Sequence, residues 1–100
     1  MFELCLTMLC PPALEEKLLD LLLIAPEAAV FTSTPTSEHG LSFGRLSPIE
    51  QVLGRSLATQ IQVLLTATDK QIVLDAVQQQ FSGAGLRFWV TPIIESGELT

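Results

Sequence analysis

From Ser56 to Leu65 the chain alternates without a break: Leu57, Thr59, Ile61, Val63 and Leu65 interleave with Ser56, Ala58, Gln60, Gln62 and Leu64. A period of two places the first set on one face of a strand and the second on the other. One face must meet a core, while the other is polar and small. The segment therefore commits the chain to a sheet covered on one side.

Three further strands are expected. Phe2, Leu4, Leu6 and Met8 alternate with Glu3, Cys5 and Thr7, which marks a half-buried strand at the start of the chain. Ala28 to Thr34 is rich in small and β-branched residues and bounded by Pro26 and Pro35, which reads as the second strand. Leu86 to Ile94 contains the only tryptophan, Trp89, and tolerates Pro92 best on a sheet edge.

Two helices separate these strands. Pro11-Pro12 supplies fixed backbone angles at a helix start, and Glu15 and Glu16 complement the positive end of the macrodipole. Leu14, Leu18, Leu21, Leu22 and Ala25 follow at helical spacing, up to Pro26. Thr68 to Gln71 offers capping-box chemistry for the other long helix. Its apolar stripe is Ile72, Val73, Ala76, Val77 and Phe81, and Gly83 stands where a left-handed C-cap is wanted. The order β-α-β-β-α-β with right-handed crossovers puts both helices on one face of a four-stranded antiparallel sheet. This is the ferredoxin-like α+β sandwich. The opposite face is bare and suited to packing against other copies of the chain.

Between the second and third strands, Thr34 to Pro48 holds two glycines, two prolines and no sustained periodicity, a loop of unusual length for 100 residues. Ser47-Pro-Ile-Glu50 then carries a cap donor, a proline at the first helical position and a glutamate three residues on, so one or two helical turns are expected before Gly54. Loops of this length usually carry function, and His39 and Phe43 are the candidates for contacting a partner protein.

Composition narrows the function. With 48% hydrophobic and 16% charged residues and a mean hydropathy of +0.46, the chain is expected to form one compact domain across residues 1–100 and not a disordered segment. A net charge of −6 with five basic side chains (Lys17, Arg45, Arg55, Lys70, Arg87) argues against nucleic acid as a partner. No basic leader precedes the first apolar run, Leu9 is too bulky for a lipoprotein-type cleavage before Cys10, and Leu18 to Ala25 is too short to span a bilayer. A cytoplasmic location is expected. Cys5 and Cys10, five apart on one strand, point to opposite faces and do not bridge.

No nucleophile triad, paired-carboxylate or Walker-type pattern is present, so a binding protein is expected, not an enzyme. The candidate ligand residues are few. Gly83 and Gly85 either leave backbone N–H groups open toward a phosphate or form a cap and a tight turn. Arg87 either pairs with a ligand anion or sits on a solvated face. Arg45 and Arg55 bracket the short helix and converge with Arg87 if that helix closes onto a cleft between subunits; alternatively Arg55 neutralises the helix C-terminus. His39 with Glu38 does not complete a transition-metal site, and no metal ligand set is assigned. Cys5 reads as a small core or interface residue.

Taken together, these elements resemble those of the PII-like signalling superfamily, which includes the nitrogen regulatory PII proteins. The resemblance rests on the element order, the long loop between the second and third strands, and the turn Ser82-Gly83-Ala84-Gly85. It also rests on Phe88-Trp-Val-Thr-Pro92 followed by Glu95-Ser-Gly-Glu98. Leu46-Ser-Pro-Ile-Glu-Gln-Val-Leu-Gly-Arg55 is similar to a proteobacterial PII-like family of unknown function, some of whose genes lie beside heavy-metal efflux systems. The resemblance implies a homotrimer formed through the bare sheet face, with residues 34–54 as the T-loop-like segment. It also implies signal transduction, in which a nucleotide or other anionic small molecule controls contact with a target such as a membrane transporter. The chain has no tyrosine, which excludes T-loop nucleotidylylation, and its B-loop-like turn is cut to Gly83-Ala-Gly85 with one cation, Arg87. The other function class with this fold is a metal-tolerance protein of the copper-tolerance type, which needs soft or imidazole ligands at the trimer clefts.

Overall fold

A computed structural model describes the backbone of residues 1–28, 30–40, 48–53 and 55–100. Its strands are β1 (Leu4–Cys10), β2 (Val30–Glu38), β3 (Ser56–Leu65) and β4 (Arg87–Pro92), and its helices are α1 (Glu15–Ile24), α2 (Pro48–Leu53) and α3 (Ala67–Phe81). The sheet order is β2-β3-β1-β4, and all three pairings are antiparallel. The expected sandwich is what forms.

The strand alternation sorts as expected from Thr59 onward, but not at the start of β3, where Leu57, expected on the core face, is exposed and Ala58, expected on the bare face, is buried. Leu6, Met8 and Cys10 of β1 and Ile61, Val63 and Leu65 of β3 are buried against Leu18, Leu21 and Leu22 of α1 and Val73, Val77 and Phe81 of α3. Removing these side chains from water is the main force holding helices to sheet. Within α3 four of the five expected stripe residues face the core, with Val73, Val77 and Phe81 buried and Ala76 packed beside them; Ile72 is the exception at 45% exposed, and Leu74 packs on the core as well. Val73, Val77 and Phe81 are four residues apart, which puts Ile72 a residue off the buried line.

Local chemistry fixes the element ends. A single 3-10 turn over Pro12–Leu14 leads into α1, and Ala25 closes it before Pro26. The cap of α3 is Thr66, two residues earlier than the Thr68 expected, with its Oγ1 accepting from Asp69 N at 3.1 Å. Gly83 takes φ +79°, the left-handed angle expected after α3. The helix after Pro48 forms, and Glu50 Oε2 accepts from Ser56 Oγ at 3.1 Å and from Leu57 N at 2.8 Å. That carboxylate ties α2 to the start of β3.

β2 runs four residues into the stretch expected as loop, ending at Glu38. Pro35 is accommodated because β2 is an edge strand, where a missing N–H costs no ladder bond. Pro92 lies on β4, the other edge, as expected. The segment after β4 is held near the start of β1: Ile93 N donates to Glu3 O at 2.9 Å, and Ser96 Oγ donates to Phe2 O at 3.3 Å.

Candidate functional site

The helix-free sheet face is laid out in rows that the register fixes. One row crosses all four strands as Thr34, Gln60, Leu9 and Arg87; the next is Thr32, Gln62, Thr7 and Trp89; the third is Val30, Leu64, Cys5 and Thr91. Polar side chains dominate the first two rows and apolar ones the third. Thr7, in the second row, is buried, with Oγ1 3.8 Å from Cys5 Sγ. Cys5 and Cys10 are both free and lie on opposite faces of β1.

Arg87 and Glu38 meet across this face. The row containing Arg87 reaches β2 at Thr34, three strand spacings or roughly 14 Å away. Yet Arg87 Nε lies 3.9 Å from the Oε2 of Glu38, four residues further along β2. The overhanging β2–β3 ribbon therefore coils diagonally over the face, as two-stranded ribbons with strong twist do. On the ribbon itself Ala58, paired with Thr36, is 3% exposed although it belongs to the helix-free side. The coil borders an open cleft of about 360 Å³ lined by Thr36, Ser37, Glu38 and His39 of the β2 end and by Leu9, Gln60, Arg87 and Trp89 of the sheet. It offers a guanidinium, an indole, an imidazole, an amide and two hydroxyls around one carboxylate.

This arrangement joins two residues that the sequence assigned separately: His39, from the partner-contacting group, lines the same cleft as Arg87, from the ligand group. It separates two that the sequence grouped. Gly83 and Gly85 open onto the helix-bearing side, where a cavity of about 190 Å³ is lined by Met8, Leu74, Val77, Phe81 and Phe88. Arg87 and Phe88 are neighbours on β4 and point to opposite faces. Arg55 is exposed beyond the α2 end, and its N donates to Glu50 O at 3.2 Å. Arg45 and Phe43 lie outside the described residues. The sequence reading missed Gln60 and Trp89 as cleft residues, although both share the parity of Arg87's face through the paired strands.

Among the described residues no group of three or more His, Cys, Asp and Glu side chains is placed to hold a metal ion. No helix of the described residues is long and apolar enough to cross a membrane.

The chain belongs to the DUF3240 family, whose description is "protein of unknown function", with residues 2–100 matched. No curated protein matches the sequence. Among solved structures, a DUF3240 family protein from Shewanella baltica is similar at 15% identity and a TM-score of 0.82, covering 100% of this chain and 99% of that one. CPII from Thiomonas intermedia, a nitrogen regulatory PII-like protein bound to ADP, AMP and bicarbonate, is similar at 17% identity and a TM-score of 0.73, covering 99% and 98%. The periplasmic divalent cation tolerance protein CutA from Archaeoglobus fulgidus is similar at 16% identity and a TM-score of 0.72, covering 98% and 89%. At these identities the likeness is one of fold, and the fold is the PII-like and CutA one.

Proposed function

We propose that this chain is a single-domain regulatory binding protein, a PII-like homotrimer in which a small anion held by Arg87 governs how the segment around residues 34–54 meets a target protein. The observation that carries the reading is the cleft itself. The guanidinium of Arg87 faces the end of β2, from which the long loop departs, so a ligand there touches both the rigid sheet and the root of the loop. Trp89 and His39 add planar surfaces on which a base or a flat carboxylate can rest. That CPII, with the same fold, is bound to ADP, AMP and bicarbonate supports an anionic ligand. In this reading Gly83 and Gly85 serve to end α3, the chain itself works in the cytoplasm, and the loop partner is a protein such as a membrane transporter. The work is binding, not catalysis.

The CutA likeness raises divalent-cation tolerance as the other reading. The cleft argues against it: beside one imidazole and one carboxylate stands a fixed positive charge, Arg87, which repels a metal ion. Thermal unfolding with ADP, AMP, bicarbonate, Cu²⁺ and Zn²⁺ tests the choice, because a ligand selective for the folded state raises the melting temperature. An anion that stabilises the native protein and not Arg87→Ala is the expected result. Stabilisation by a metal alone, undiminished in Arg87→Ala, overturns it.

A further inference from the structure

The carboxylate of Glu38 already occupies the space in front of Arg87. We propose that Glu38 is an internal competitor for the anion site: an incoming anion competes with Glu38 for the guanidinium, and displacement of Glu38 frees the end of β2 from which the loop departs. The proposal rests on the reading of Arg87 as an anion site and names how that site is regulated.

Three observations carry it. In the single chain the Glu38 side chain is 16% exposed and that of Arg87 53%, so the carboxylate is tucked into the cleft and the guanidinium is the more open of the pair. Their 3.9 Å separation is longer than a hydrogen bond, and an oxyanion making two short bonds to the guanidinium fork outcompetes so loose a pair. Glu38 is also the last residue of β2, and two positions on, Gly40 adopts φ +83° with nothing within 4 Å of where a Cβ would sit. Release of Glu38 thus acts next to a backbone position free to pivot. An internal competitor lowers apparent affinity by the fraction of molecules in which it is seated, and by linkage anything that draws the loop away raises that affinity. A target protein that engages the loop would therefore tighten ligand binding.

The test uses the full chain as wild type, Glu38→Gln, Arg87→Gln and the double variant, with ADP and inorganic phosphate as separate probes in titration calorimetry. Amide hydrogen exchange is followed at residues 36–40, and melting profiles verify that each variant folds. Removing the competing charge is expected to raise probe affinity about two- to fivefold in Glu38→Gln, the range of an exposed ion pair. Without probe, exchange at 36–40 should quicken equally in both single variants and no further in the double. If Arg87→Gln abolishes binding but Glu38→Gln changes neither affinity nor exchange, Glu38 is no competitor and the anion site stands. If neither wild type nor Glu38→Gln binds either probe, or Arg87→Gln binds as well as wild type, the anion site itself is refuted and the competition with it.

Discussion

Glu3 and Ala67 are 64 positions apart, yet Glu3 Oε1 accepts a hydrogen bond from Ala67 N at 3.1 Å. Ala67 is the first residue of α3, one of four whose N–H groups have no partner within the helix. Thr66 Oγ1 satisfies a second of these, that of Asp69, from the adjacent cap position. One cap is local and the other reaches from the start of β1, so the end of the chain is fastened to the helix that covers its own sheet. Thr66→Ala is expected to cost about 1 kcal/mol and Glu3→Gln less, because an amide oxygen still accepts. Urea unfolding of both variants measures the difference; equal stability of Thr66→Ala and wild type would remove the cap from the account.

Gly83 and Gly85 hold φ +79° and +82° with open space at both would-be Cβ positions. No steric clash awaits a side chain there, so any cost of substitution is backbone strain alone. Gly83→Ala should destabilise by about 1 to 2 kcal/mol, and Gly83→Asn by less, since asparagine tolerates the left-handed region. The same urea series measures both. An alanine variant as stable as wild type would mean that the turn relaxes to a negative φ.

The parts of this molecule legible in its sequence are those where burial writes a period. Leu6, Met8, Ile61 and Val63 announce their strands because one side of each is covered by helices. Pro35 to Glu38 announces nothing: this end of β2 pairs with the start of β3, from Thr59 back to Ser56, and apart from Pro35 its own side chains are polar, so it has no apolar side to alternate. Its strand character comes from pairing with β3, which no local pattern records. The cleft was half legible. Arg87 was found for its charge, and strand parity already separates it from Phe88. The coil that brings Glu38 back across the sheet is a property of twist, and only the folded ribbon reveals it.

Cys10 is fully buried, and burial pushes its thiol above the ordinary value near 9, with the negative charge of Glu15 adding to the shift. The folded protein thus keeps this proton to a higher pH than the unfolded chain does. Its contribution to stability is complete below the ordinary thiol value and is lost as pH rises through that value toward the raised one. The destabilisation caused by Cys10→Ala should therefore be smaller at about pH 10 than at neutral pH. Urea midpoints of the two proteins across that range give the difference, and a gap that stays constant would place the titration elsewhere. Iodoacetamide should label Cys10 in the native protein only as fast as the core opens.

The helix-free face is suited to contact between copies of the chain. Gln60, Gln62, Thr32 and Thr34 give it hydrogen-bonding groups without charge, while Val30, Leu64 and Cys5 give it an apolar row. A face of that composition fits self-association better than full solvation, because its polar groups find partners in a copy of themselves. Light scattering is expected to give three times the chain mass of 10.9 kDa at micromolar concentration. Gln62 is exposed in the middle of the face, so Gln62→Arg would gather like charges wherever copies meet and should shift the protein toward monomer. Leu23, 69% exposed on α1, lies on the helix-bearing side, and Leu23→Arg should leave the mass unchanged. If Leu23→Arg dissociates the assembly and Gln62→Arg does not, the copies meet through the helices, and the sheet face must find another occupant.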